Sequence, residues 1–174
     1  MQSPKSTKLE IIIPAYRMHT QSFRNVLDGI SEEAARQRID NKTNHVIWMT
    51  GNLVNCRYWI AHVLGMEEAD PYEELFKDAR AIDENLPYPS LEELVSSFHN
   101  ISPKVYRALL DANDEKLQEP VTFGMGVPFF EENVLNMIGM SIGRTDYLLG
   151  QIGLMRKLLG LKGMAYDIDE SVGY

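Results

Sequence analysis

The chain has 174 residues, of which 44% are apolar and 24% are charged, and its formal net charge is −8. This length and composition predict one soluble globular domain, residues 1–174, with enough interior to fold without disulfides. The acidic balance excludes a basic face for phosphates, so nucleic acid is not expected as a partner. No apolar run reaches the roughly 20 residues that a membrane span needs.

Cysteine content and the start of the sequence bear on the compartment. The first residues lack the apolar core of a signal peptide, which predicts a cytoplasmic protein. The single cysteine, Cys56, has no partner for an intrachain disulfide, and we interpret it as a small buried hydrophobe.

Residues 67–93 hold ten acids against two basic residues, a surplus that equals the whole net charge. We interpret this run as a solvated connection between helices.

The first helical pattern begins near Pro14, which suits the first turn because proline has no N–H to donate there. Ile12, Tyr16, His19 and Phe23 recur at helical spacing. Ser31 then suits the N-cap of a short helix, and residues 40–43 read as a turn.

The second pattern is the clearest in the chain and ends at Gly65. Its apolar positions alternate steps of three and four without exception, as in the core stripe of a helical bundle. A neighbouring stripe sets polar groups between two tryptophans, and we expect it to line a cavity. The core stripe comprises Val46, Met49, Leu53, Cys56, Ile60 and Val63, and the flank comprises Trp48, Asn52, Asn55, Trp59 and His62.

Two more helices complete the pattern. The third opens with a capping box between Ser90 and Glu93, and Pro103 should kink or divide it. Residues 120–128, rich in Gly and Pro, predict an extended loop or short hairpin. The fourth helix is predicted from about Glu131 to Leu159, and residues 165–174 form a loose end or an arm across a partner.

Two short motifs give the chain a family resemblance. Trp48 to Leu53 in the second helix and Gly150 to Gly153 in the fourth resemble the DinB-like (DinB/YfiT) superfamily. The resemblance implies an all-α four-helix bundle with long connections between helices 2 and 3 and between helices 3 and 4. It also implies a homodimer. Typical members bind a divalent metal such as zinc or nickel through three histidines.

The metal-ligand positions of the family are changed in this chain. Aligning the two motifs places Asn52, Arg144 and Leu148 where the histidines are expected. Arg144 and Leu148 offer no lone pair to a cation, and Asn52 offers one neutral oxygen. We therefore predict no bound metal and no other cofactor. His19, His45, His62 and His99 remain alternatives for an atypical metal site, although a structural role is the commoner case for each.

The same positions suggest a binding pocket, to which we assign Asn52, Arg144, Leu148, Gln151, Trp48 and Tyr147. Arg144 is a fixed cation that suits a small anionic ligand, unless it pairs with an acid or points to solvent. The predicted function is that of a metal-free binding or interaction protein, with no catalytic residue assigned. The alternative is a thiol-dependent transferase or isomerase related to the metal-dependent DinB-like enzymes.

Overall fold

Seven α-helices make up the secondary structure of the computed structural model, which describes residues 3–77 and 80–174. Within these ranges no strand is present, and the one β-bridge joins Pro120 and Asn133. The predicted all-α class is confirmed. Asp78, part of the acidic run, and Met1 lie outside the described residues. A short 3₁₀ turn, Thr7–Leu9, precedes the helices α1 (Ile12–Leu27), α2 (Glu32–Ala35), α3 (Val46–Val63), α4 (Glu73–Phe76), α5 (Leu91–Asp111), α6 (Asp114–Gln118) and α7 (Val134–Leu158).

Helix starts follow local capping chemistry. The capping box of α5 is confirmed, because Ser90 accepts from the Glu93 N–H while the Glu93 carboxylate accepts from the Ser90 N–H. Asn133 caps α7, so this helix begins at Val134 rather than at Glu131 as predicted. Its N-cap is fixed by the contact between residues 119–121 and 132–134, which keeps the preceding residues extended.

Helix α3 lies at the centre of the molecule, and fifteen of its 18 residues are buried. The four longest helices pack so that α1 and α3 each contact both α5 and α7. The predicted core stripe of α3 therefore faces two neighbours at once, and its flank is also largely covered. This arrangement leaves only a few places where a side chain of α3 reaches a cavity.

Pro103 does not divide α5, in contrast to one of the two predicted outcomes. The helix runs unbroken from Leu91 to Asp111 with Pro103 inside it. The turn before it is fixed from outside, since the Ser102 hydroxyl donates to the Phe98 carbonyl at 2.7 Å and the Tyr16 hydroxyl donates to the Ser102 carbonyl at 2.8 Å. These contacts hold the helix where proline removes one backbone bond.

Two long connections carry short helices of their own. Residues 64–90 include α4, whose Phe76 lies directly on Gly51 of α3. A Cβ added at Gly51 would stand 1.9 Å from the Phe76 ring, so only glycine fits there.

Residues 112–133 include α6 and the extended loop 120–128, whose backbone N–H groups at 123, 124 and 125 donate to the Glu132 carboxylate. Those bonds lower the pKa of Glu132.

The segment 165–174 is not loose, contrary to one of the two expectations for it. It returns along α1, where Gln21 and Asn25 hydrogen-bond its backbone and Arg24 pairs with Asp169. Among the cavities of the described residues, one lies beside α4 and another lies between α1 and α7, next to this segment.

Candidate ligand cavity at Arg144

Asn52 and Arg144, assigned to one pocket from the sequence, are in direct contact. The Arg144 Nη2 donates to the Asn52 Oδ1 at 2.6 Å. Asn52 is fully buried, and its Nδ2 donates to the Trp48 carbonyl one turn earlier at 2.9 Å, which fixes the direction of its side-chain oxygen. The bond therefore joins α3 to α7 and orients the guanidinium group of Arg144.

A metal ion does not fit the three positions aligned with the family ligands. The only lone-pair donor among them, the Asn52 oxygen, is taken by a guanidinium N–H. Leu148 is 2% exposed and packs in the apolar core. A divalent cation would have to replace Arg144 at that oxygen and stand beside its positive charge.

The remaining predicted pocket residues are spread over different environments. Trp48 is 9% exposed, and its Nε1 is buried without a hydrogen-bond partner. Gln151 is half-buried, and Tyr147 is 67% exposed on the outer side of α7. Of the six assigned residues, Arg144 is the one that lines a cavity among the cavities found in the described chain.

The cavity beside Arg144 has a volume of about 350 Å³ and lies between α3, α4, α7 and the loop 120–128. Its apolar walls are Trp59, Met140 and Phe123, and the ring centroids of Trp59 and Phe123 are 5.5 Å apart. Its polar lining comprises Asn55, Cys56, Glu73, Lys77, Ser141 and Arg144. The predicted cavity-lining flank of α3 thus reaches this space through Asn55 and Trp59.

Arg144 brings a positive charge to this cavity, which Glu73 and Lys77 also line. Within residues 3–77 and 80–174, no carboxylate forms an ion pair with it. Lys77 pairs with Glu74 at 2.6 Å, and Asn55 donates to Asp70 at 2.9 Å. Because a guanidinium has five N–H donors and Asn52 accepts from one nitrogen, Arg144 keeps donors for a ligand.

Cys56 faces the same cavity with its thiol protonated. Burial raises the pKa of Cys56 to about 11, against the smaller opposing effects of Arg144 and Arg57. The thiolate, which is the nucleophilic form, is therefore scarce at neutral pH. This matches the interpretation of Cys56 as a buried hydrophobe and gives the cavity no reactive protein thiol.

The four histidines lie apart and have other partners. His19 Nε2 lies 2.7 Å from Asp146 Oδ1, and His45 Nδ1 caps α3 by accepting from the Trp48 N–H at 2.9 Å. His62 stacks on Trp59, and His99 meets Phe23 edge-on. In the part of the chain that the structure describes, no three His, Cys, Asp or Glu side chains form a group able to hold a metal ion.

Several cavity residues could not be assigned from the sequence. Phe123 comes from a loop without periodicity, while Glu73 begins a four-residue helix inside the acidic run and Lys77 directly follows that helix. The one signal for these residues was indirect. The apolar pair Leu75-Phe76 interrupts the acids, and Phe76 anchors α4 against Gly51, where there is no side chain. This contact brings Glu73 and Lys77 to the cavity.

Comparison with known proteins gives neither a family nor a function for this chain. No protein-family model, curated protein or solved structure matches this chain. Among the described helices, none has both the length and the hydropathy needed to cross a bilayer.

Proposed function

We propose that the chain is a four-helix bundle of the DinB/YfiT type in which an arginine–asparagine contact replaces the metal centre. It acts as a metal-free binding protein for a small organic anion. The observation that carries this proposal is the 2.6 Å bond from Arg144 to Asn52, which fills the ligand position with a cation and points that cation at a cavity.

The lining of the cavity indicates the class of ligand. An unpaired guanidinium favours a carboxylate, a sulfonate or a phosphate, which it can hold with two parallel hydrogen bonds. Trp59 and Phe123 offer flat apolar surfaces for the rest of the molecule. The volume of about 350 Å³ is near the lower end for ligand sites. We therefore infer a compact carboxylate with a flat apolar body.

The alternative function, a thiol-dependent transferase or isomerase, is supported by the same cation. A bound low-molecular-weight thiol needs positive charge to hold its thiolate form, and Arg144 supplies such a charge at the cavity. The protein's own Cys56 does not serve this role because it is protonated. Glutathione, a small thiol that also carries carboxylates, distinguishes the two functions when its turnover is measured with an electrophile.

A homodimer and a cytoplasmic location complete the proposal, and the family resemblance implies the first. Large apolar side chains are exposed on the outer side of α7, where Tyr147 is 67% and Leu154 is 59% exposed. Exposed apolar side chains that form a contiguous patch commonly mark a contact with another molecule. Light scattering of the purified protein measures its mass, and a monomer at all concentrations would contradict the dimer.

The first experiment combines elemental analysis with calorimetry on tag-free protein. We expect no stoichiometric zinc or nickel after dialysis and no heat on titration with either metal. We then expect 2-naphthoate to bind at least about tenfold more tightly than the uncharged 2-naphthamide, since a hydrogen bond to a charged group contributes about 1.5–3 kcal/mol. Arg144→Met should remove this preference.

The matched control is Arg107→Met, which removes an exposed arginine of α5 away from the cavity. It should bind 2-naphthoate like the unchanged protein. Stoichiometric metal, or equal binding of 2-naphthoate by the Arg144→Met variant, would overturn the proposal.

A further inference from the structure

The outer side of α1 holds an extended segment of the same chain. Gln21 contacts residue 169 of that segment twice, because its Nε2 donates to the Asp169 carbonyl at 2.8 Å and its Oε1 accepts from the Asp169 N–H at 3.1 Å. One side-chain amide thus satisfies both backbone groups of a single residue, as a neighbouring strand would. Contacts of this kind recognise an extended main chain whatever its side chains are.

A second amide repeats the contact one turn further along α1. Asn25 Nδ2 donates to the Asp167 carbonyl at 2.8 Å. Four residues of a helix rise about 6 Å, and two residues of an extended chain rise about 6.6 Å. The amides at positions 21 and 25 therefore match the repeat of an extended peptide that runs antiparallel to α1.

Side-chain contacts add sequence selectivity to this backbone contact. Arg24 pairs with the Asp169 carboxylate at 2.9 Å. The Tyr174 hydroxyl accepts from the Gln21 Nε2 at 2.7 Å, while the Arg17 guanidinium lies 4.3 Å from the centre of the Tyr174 ring. The face thus selects a carboxylate at one position and a tyrosine five residues later.

Burial supports this view of the α1 face. Gln21 is 2% exposed and Asn25 is 9% exposed, although both are polar. Buried amides are stable only when their hydrogen bonds are made, and the segment makes them. The Arg17 Nε is also buried without a hydrogen-bond partner, which leaves a donor on this face for a further acceptor.

We propose that this face of α1, formed by Arg17, Gln21, Arg24 and Asn25, is a peptide-recognition site. Its partner is an extended acidic peptide with an aspartate followed five residues later by a tyrosine. Residues 167–174 are the resident occupant and compete with a peptide from another protein. The site lies on a different face from the Arg144 cavity and does not depend on the function proposed for it.

Release of the resident segment has a structural consequence. Gly163, Met164 and Tyr166, which lead into the segment, form one wall of the cavity between α1 and α7, whose volume is about 770 Å³. The other walls include the paired His19 and Asp146. A peptide that displaces the segment therefore also opens this cavity.

The test uses the full chain and a fluorescein-labelled peptide with the sequence of residues 165–174. A tethered segment has an effective concentration of about millimolar, so we expect the unchanged protein to show no measurable binding by fluorescence anisotropy. The double variant Asp169→Ala/Tyr174→Ala releases the resident segment and should bind the peptide. Adding Gln21→Ala should weaken that binding at least about tenfold, because it removes three hydrogen bonds.

Two controls make the result specific. Glu170→Gln changes an exposed acid of the segment that forms no ion pair within residues 3–77 and 80–174, and it should leave the resident bound and the peptide excluded. A labelled peptide with the same residues in scrambled order should not bind the released variant.

The outcomes that overturn the proposal are distinct from a folding failure. Circular dichroism establishes that the double variant keeps its helices, and a folded variant that does not bind the peptide contradicts the proposal. Equal peptide binding by the unchanged protein and the double variant contradicts the role of the resident segment. Hydrogen exchange of the Asp169 amide at an unprotected rate in the unchanged protein does so as well.

Discussion

Two arginines, Arg57 in α3 and Arg144 in α7, differ in what surrounds them. Arg57 is 1% exposed and lies between α1 and α5, with its guanidinium 3.5 Å from the centre of the Tyr16 ring and 4.9 Å from that of Phe98. Arg144 is half-buried and faces a cavity of about 350 Å³. Neither forms an ion pair with a carboxylate of the described ranges.

The partners of Arg57 make its charge part of the core. Its Nη2 donates to the Tyr16 carbonyl at 3.3 Å and to the Thr20 hydroxyl at 3.2 Å. Burial lowers the pKa of Arg57, although nearby Tyr16 opposes the effect. Aromatic faces stabilise a desolvated guanidinium, and Arg57 lines none of the cavities described here for residues 3–77 and 80–174.

The comparison shows that an unpaired arginine indicates a ligand site only where open space accompanies it. Arg57 is more deeply buried than Arg144, although a charged side chain is rarely found in a protein core. Protein atoms surround it. Within the described residues, Arg144 donates to one protein acceptor, and a cavity lies beside it. This difference is the reason for assigning ligand binding to Arg144 and a packing role to Arg57.

The largest expected effect comes from truncating Arg57. Arg57→Ala should lower the free energy of unfolding by about 2–5 kcal/mol, the range for truncating large buried side chains. Arg57→Met keeps most of the stem and removes the buried charge, so its effect should be much smaller. Urea unfolding measures both.

The two variants also separate packing from charge. If Arg57→Met destabilises as strongly as Arg57→Ala, the cation itself stabilises the core. The two arginines would then differ only in the cavity that lies beside Arg144.

The next largest effect is expected at Gly51, which connects α3 to the cavity through α4. Gly51→Ala places a Cβ 1.9 Å from the Phe76 ring, and overpacking of this kind costs about 1–3 kcal/mol. Displacing Phe76 moves α4 and with it Glu73 and Lys77, so binding of 2-naphthoate should weaken as well. Gly139→Ala, where an added Cβ meets nothing within 4 Å, is the matched control. Unchanged binding in Gly51→Ala would mean that α4 does not shape the cavity.

Local patterns in the sequence were enough to predict the four long helices, although not the short helices α4 and α6. The alternating apolar steps of α3 predicted Val46–Val63, and the Ser90 capping box predicted the start of α5. Both signals lie within one element, so they do not depend on tertiary packing. The family resemblance, rather than periodicity, placed Asn52 and Arg144 in one pocket, but the hydrogen bond between them was not predicted.

Contacts that join distant segments could not be predicted in the same way. Arg57 follows Cys56 in a core helix, and nothing local shows that Tyr16 and Phe98 from two other helices will enclose it. Phe123 reaches the cavity from an irregular loop. The segment 165–174 has no periodicity, and its position depends on amides of α1 that are more than 140 residues away in sequence.

The smallest expected effect is a dependence of the free energy of unfolding on pH, which we attribute to three histidines. Burial is the main reason why the pKa values of His19, His45 and His99 are lowered in the folded protein. Their pKa values in the unfolded chain are about 6.5. Above about pH 7.5 these groups are neutral in both states and contribute no pH dependence.

Below that pH the unfolded chain takes up protons that the folded protein resists. Because stability rises with pH wherever the unfolded state binds more protons, the free energy of unfolding should fall as the pH is lowered from about 7 towards 5.5. His45→Asn removes one of the three groups and keeps a good N-cap for α3, since asparagine also accepts from the backbone there. Urea unfolding at both pH values should therefore show a smaller loss for His45→Asn than for the unchanged protein. An equal loss would mean that the capping histidine is not held neutral by burial, and that the pH response belongs to His19 and His99 on the α1 and α5 side of the molecule.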